Sequence, residues 1–178
     1  MLVFERVVLY PTPSQYEHIA RGCRARAHRY NLILQHFSQD GVTWSRKDAD
    51  RFLDYPFGRF AEFGRQITQT AIDDLDEDLK RYRRLMRQGK NPRFPQRKKK
   101  DDYDSFVIQN KPGSDECVHV EGRLLYIKGL DTPIKISPPV PPRCIFKQVK
   151  ISTDRAVIML MDLDRYHEFF TKSRHKGR

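Results

Sequence analysis

Long apolar runs are missing from this sequence. No segment approaches the ~18 consecutive apolar residues of a membrane-spanning helix, and the N-terminal stretch LVFERVVLY alternates and then meets Pro11 instead of running apolar as a signal peptide does. Cysteine is scarce. Cys23, Cys117 and Cys144 lie far apart, which excludes a metal site or disulfide framework built on paired spacing and points to a reducing cytoplasm. His18, His28, His36, His119, His167 and His175 keep no regular spacing to carboxylates or cysteines, and neither a glycine-rich phosphate loop nor a nucleophile elbow is present. The sequence therefore predicts no catalytic residue, no metal ligand and no cofactor in this chain.

Acid is the other shortage. Lys and Arg total 34 against 23 for Asp and Glu, giving a net charge of +11 and a pI near 9.7, a balance that calls for a polyanionic partner, with nucleic acid preferred to a membrane surface. A hydrophobic content of 38% with 11% aromatics argues for a folded chain, and 178 residues suffice for one domain, alone or with a sizeable insertion.

Residues 2–10 alternate, with Phe4, Arg6, Val8 and Tyr10 on one face and Val3, Glu5, Val7 and Leu9 on the other, as a strand does. The following TPSQ is helix-start chemistry, with Thr12 as N-cap, Pro13 at the first helical position and Gln15 where a capping box reaches back. From there Tyr16, Ile19, Cys23, Ala27, Tyr30, Leu34 and Phe37 recur at spacings of three and four, which predicts a long amphipathic helix weakened slightly by Gly22. SRKDADRFLDY reads as a short helix capped by Ser45 beside Trp44, and YPFGRF as a connection. A further helix carries the stripe Ile67, Ala71, Ile72, Leu75, Leu79, Tyr82 and Met86. Acids crowd its first half, from Asp73 to Asp78, and cations its second, an order that suits the helix dipole, before Gly89 stops it. Beyond Gly89 the period becomes two, in short strands separated by tight turns, among them a two-residue hairpin loop at Glu121-Gly122.

The expected fold class is α+β: an antiparallel, oligonucleotide-binding-like β-barrel interrupted by a helical insertion. Residues 1–11 and 90–164 would form the barrel, 12–89 the helical insertion and 165–178 a basic C-terminal tail. Between the two parts stands KNPRFPQRKKK, residues 90–100, in which Lys90, Arg93, Arg97, Lys98, Lys99 and Lys100 occur with two prolines and no acid. A plain linker explains the charge and the prolines but not Phe94 between them.

Taken in order, LYPTPSQ, RYNLIL with Tyr30 and Asn31, QTAIDDLDEDLKRY leading into NPRFPQRKKK, SFVIQN and VKISTDRAVIMLMDLD resemble the N-terminal half of the TnpB (OrfB) proteins of bacterial insertion sequences, relatives of the miniature type V CRISPR nucleases. The resemblance runs from about Val3 to Asp164. It implies a wedge barrel with an inserted recognition lobe, parts that in that family hold a transposon-derived guide RNA and read a short motif beside a double-stranded DNA target. It also implies that PRFPQRKKK, residues 92–100, returns from lobe to barrel and that cations there neutralise phosphates. Two positions depart from the family pattern: Val8 and Ala27 stand where the family has arginine, with Arg26 or His28 as substitutes for the second.

The resulting RNA- and phosphate-binding candidates are Arg21, Arg24 and His28, with Arg26 and Arg29 beside them, and Arg93, Arg97, Lys98, Lys99 and Lys100. The resemblance implies DNA-motif reading near the start of the recognition-like helix, at Arg65, Gln66, Gln69 and Thr70, where Gln can pair bidentately with adenine and Arg with guanine. In the family a RuvC-like nuclease domain with three carboxylates follows. Asp162 and Asp164 read instead as acids at the end of a last strand, so this chain is expected not to cut DNA, and a nuclease would come from a partner chain. Two other readings stand beside this one: an RNA-independent DNA-binding transposon accessory or regulator, and a structural subunit of a ribonucleoprotein.

Overall fold

In the computed structural model the described residues are 2–53, 60, 63–109, 117–140 and 144–162. They form β1 (Leu2–Tyr10), α1 (Pro13–Phe37), α2 (Arg46–Phe52), α3 (Gly64–Arg87), β2 (Ser105–Gln109), β3 (Val118–Glu121), β4 (Leu124–Ile127), β5 (Ile134–Ser137), β6 (Cys144–Ser152) and β7 (Arg155–Asp162). The chain is α+β, and its seven described strands make one antiparallel sheet, ordered β2-β6-β7-β1-β5-β4-β3, that curls into a nearly closed barrel. Among the described residues no helix is long and apolar enough to cross a membrane. The Tyr55–Phe60 connection apart from Phe60, Asp164 and the tail at 165–178 lie outside the described residues.

Two compact units divide the chain, Met1–Ile19 with Val107–Arg178 and Ala20–Phe106. The sequence reading draws its boundaries at 11/12 and 89/90. In the structure residues 90–106 group with the helices.

In the barrel unit β1 is the central strand, paired with β7 from Leu2 to Val8 and with β5 from Val8 to Tyr10. Its alternation sends Val7 and Leu9 inward, beside Ile134, Ile136, Ala156 and Ile158, and leaves Phe4, Arg6, Val8 and Tyr10 outside. A slip of one residue would exchange the two sets, so burial of the inner set fixes the register. The capping box forms as expected: the Thr12 amide donates to Gln15 Oε1 at 2.9 Å and the Gln15 amide to Thr12 Oγ1 at 3.4 Å. Buried Gln15 does more than cap, because its Nε2 also reaches the Thr132 carbonyl at 3.1 Å and Thr132 Oγ1 at 3.0 Å. The helix start is thereby tied to the turn before β5. The β3–β4 hairpin corrects the expected loop by one residue. Glu121 pairs with Leu124, which leaves Gly122-Arg123 as the loop, and Gly122 takes φ +57°, a left-handed conformation that glycine adopts without strain.

The helical unit closes around Tyr30, Ile33 and Leu34 of α1, Ala49 of α2, Leu53, and Ala71, Ile72, Leu75 and Leu79 of α3, with Phe37, Trp44, Phe52 and Tyr103 packed against them. Both helix stripes are largely as expected, but their outer ends, Tyr16 and Met86, are exposed. Ser45 caps α2 by accepting from the Asp48 amide at 3.3 Å. At the end of α3 the Gly89 amide donates to the Met86 carbonyl and the Lys90 amide to the Leu85 carbonyl, with Gly89 at φ +70°. This Schellman closure turns the chain back toward the helix it has just left.

Gly22 has a packing role that propensity does not reveal. A Cβ there would stand 2.5 Å from the ring of Phe106, itself buried and edge-on to Phe63. Helix propensity alone would make Gly22→Ala stabilising by ~1 kcal/mol. Overpacking against that buried ring reverses the sign, and a net loss of about 1–2 kcal/mol in urea denaturation is expected. A gain in stability would show that Phe106 yields.

Candidate nucleic-acid interface

The acids of α3 are not a solvated face. Asp74 receives Arg26 of α1 through two bonds of 2.7 Å, while Arg26 Nη1 donates to the Ser105 carbonyl at 2.7 Å and its guanidinium lies 4.0 Å from the Tyr103 ring. Burial opposes the Arg26 charge, but the bonds it donates to Asp74 outweigh this and raise its pKa further. Asp76, buried, accepts from Trp44 Nε1 and Arg46 Nη1 and pairs with Lys80, each at 3.0 Å. Arg46 also meets Asp73. Asp78 accepts from the Tyr30 hydroxyl at 2.7 Å and from Lys98 Nζ at 3.2 Å. Desolvation first, and then the bond to Asp78, pushes the Tyr30 hydroxyl far above its ordinary pKa. Four carboxylates on one helix thus gather groups from α1, α2, Trp44 and the basic segment.

The basic segment is anchored at Lys98. Asn31 closes a clamp on its backbone, donating from Nδ2 to the Lys98 carbonyl at 2.8 Å and accepting the Lys98 amide on Oδ1 at 2.7 Å. The Lys98 ammonium lies 4.8 Å from the Tyr30 ring centre as well as against Asp78. Of the expected phosphate ligands, Lys98 is therefore committed within the protein, and its side chain is only 29% exposed. Its neighbours Arg93, Arg97, Lys99 and Lys100 are exposed, and none forms an ion pair among the described residues. The Lys99 amide, not its side chain, meets Asp102 at 2.7 Å.

Between the second half of α3 and residues 92–98 runs a groove of about 620 Å³. Arg81, Tyr82 and Leu85 form one wall, and Pro92, Arg93, Phe94, Pro95 and Arg97 the other. Phe94 meets Tyr82 edge to face, with ring centres 5.4 Å apart, and remains 41% exposed. Two prolines hold this stretch extended by fixing φ, and the Phe94 carbonyl accepts from Gln96 Nε2 at 2.8 Å. The groove thus combines three exposed guanidinium groups with an aromatic pair.

The other predicted ligands are placed elsewhere. Arg21 is exposed, while Arg24 is half-buried along the same α1 face as His28, whose ring lies 5.6 Å from Phe60. Arg29 is buried and donates to the Phe60 carbonyl at 2.9 Å. Together with Arg26 it belongs to the packing of the helical unit. His36 stacks on Phe52 at 4.2 Å. On α3, Gln69 and Thr70 are half-buried around a buried Thr68; Arg65 and Gln66 lie on the first turn, and their side chains are outside the described ones. Asp162 ends β7 opposite Cys144. Sequence reasoning missed Arg81 and Tyr82 as groove residues, because one reads as dipole complement and the other as part of the buried stripe. No protein-family model and no curated protein matches this chain.

Asp76 has a pH signature. Burial tends to raise the Asp76 pKa, but bonds from Lys80, Trp44 and Arg46 prevail and lower it below its ordinary value. A depressed folded pKa contributes stability that is fully present above the unfolded value, about 3.9, and is lost as pH falls through the folded one. Thermal unfolding followed from neutral pH downward should accordingly show an acid limb below about pH 4. Asp76→Asn should lower stability at neutral pH by about 1–3 kcal/mol and flatten that limb. An unchanged limb would assign it to other carboxylates.

Proposed function

We propose that this chain is the nucleic-acid-binding module of a TnpB-like RNA-guided DNA-targeting protein. In this reading the barrel serves as an oligonucleotide-binding-like wedge, the helices act as its recognition insertion, and a RuvC-like nuclease partner performs cleavage. The observation that carries it is the division among the cations of the basic segment. Lys98 is held by Asn31 and Asp78, whereas Arg93, Arg97, Lys99 and Lys100, like Arg81 across the groove, are exposed and outside any ion pair among the described residues. A solvated linker needs no such anchor. A phosphate-binding strand gains from one, because cations held at fixed positions lose less conformational freedom when they neutralise phosphates. The barrel, the position of the helices between β1 and β2 in the chain, and the ordered sequence resemblance support the same assignment. Guide-like RNA is the ligand of the basic segment, and the start of α3, with Arg65, Gln66, Gln69 and Thr70, reads a motif in duplex DNA.

RNA binding should be steeply salt-dependent, with no magnesium-dependent nicking of DNA by this chain. Changing Arg93, Arg97, Lys99 and Lys100 to Gln, with Lys98 kept, should flatten the slope of log affinity against log salt by about 0.7 for each phosphate no longer neutralised and leave the melting temperature nearly unchanged. A slope that does not move would remove the segment from the interface, and duplex binding indifferent to RNA would favour the RNA-independent DNA-binding accessory.

For motif reading, Gln69→Ala should cost about 1–3 kcal/mol on the preferred duplex and much less on a scrambled one. Equal losses on both would reduce the start of α3 to a positioning element.

A further inference from the structure

We infer that the groove between α3 and residues 92–98 is a nucleotide site that takes one unpaired base of a single-stranded nucleic acid, stacking it on Phe94 while Arg81, Arg93 and Arg97 hold the flanking phosphates. This rests on the nucleic-acid reading above and specifies what the groove recognises.

Phe94 carries the argument first. A phenyl ring between two prolines on a cationic stretch ought to be buried if its role were packing, yet it is 41% exposed, and what it gives to Tyr82 is an edge-to-face contact at 5.4 Å and 80°. The ring is therefore braced by the core without being absorbed into it. Pro92 and Pro95 stiffen the backbone on either side, and the clamp on Lys98 fixes the end of the segment. A braced, accessible aromatic face amid cations is the arrangement on which single-stranded nucleic acids stack their bases.

Charge and size then select the ligand. The described lining has three exposed guanidinium groups, Arg81, Arg93 and Arg97. Its two acids are engaged, Asp78 by Tyr30 and Lys98 and Asp102 by the Lys99 amide. The groove therefore favours anions, and the planar guanidinium suits a phosphate. At about 620 Å³ it falls within the ~300–1,000 Å³ of small-molecule sites, enough for one or two nucleotides. Bases inside a duplex have both faces covered by their stacked neighbours, so only an unpaired base can offer a face to Phe94.

The test compares a labelled single-stranded RNA of about twelve nucleotides with a strand of the same length that is abasic throughout, which keeps every phosphate and removes the bases. On the unaltered protein the abasic strand should bind about 5- to 150-fold more weakly, the worth of one stacked base, and annealing the intact strand to its complement should abolish the advantage. A single-stranded DNA of the same length tells whether the site prefers RNA. Phe94→Leu, which keeps an apolar neighbour for Tyr82 but no aromatic face, should bring the intact strand down to the level of the abasic one without changing the salt slope, and Phe94→Trp should restore the difference. Equal binding of intact and abasic strands by the unaltered protein, with a steep salt slope retained, would overturn the base site and leave the nucleic-acid reading standing. An absence of binding to any of these strands would overturn both.

Discussion

The row of carboxylates along the first half of α3 is the constraint on which the helical unit depends. Asp73 and Asp76 share Arg46 of α2, Asp76 also takes Trp44, and Asp74 and Asp78 engage Arg26 and Tyr30 of α1 and Lys98. In a chain of net charge +11, concentrating acid in the first half of one helix lets cations of the elements on either side of it find partners there. The cost of removing such groups from water is met only where the geometry is good. The bidentate Arg26–Asp74 pair and the three bonds to Asp76 meet that condition. The apolar cluster beneath them supplies the burial that makes the helices pack at all.

This row also divides the basic residues into two populations. Arg26 and Lys98, both largely buried, and the half-exposed Arg46 are neutralised by carboxylates of α3. Arg81, Arg93, Arg97, Lys99 and Lys100 are exposed without an ion pair among the described residues, so an external polyanion would meet them at little competing cost. Lys98 shows why sequence adjacency misleads here. It stands in an unbroken run of four cations from Arg97 to Lys100, yet its backbone lies between the two arms of the Asn31 amide and its charge lies on Asp78, so it acts as the anchor that presents the others.

Much of the fold was legible because local chemistry and tertiary packing agree. The Thr12 and Gln15 capping box, the Ser45 cap, the stop at Gly89 and the alternation of β1 each follow from short-range sterics and hydrogen bonding, and each appears where its residues predict it. The β3–β4 loop was misplaced by one residue because the sequence identifies the glycine but not which loop position it fills. Tyr16 and Met86 were expected in the buried stripes by periodicity and are exposed, since periodicity marks a face and not how far along it a neighbour extends. The candidate site was legible in composition only: the cations and Phe94 can be read in the string, but their division between anchored and exposed groups cannot.

By itself, then, the sequence determined the element types, most of their ends, the α+β class and the charge that asks for an anionic partner, because these depend on neighbours within a few residues or on a simple sum. Only the tertiary structure decided which cations are already neutralised, that Gly22 is required by the ring of Phe106, and that Arg81 and Tyr82 share a groove with Arg93 and Phe94. Those outcomes join residues distant along the chain, such as Asn31 with Lys98 and Arg26 with Asp74. Whether such groups meet is fixed by how the helices pack, a property that the pattern along any one segment does not contain.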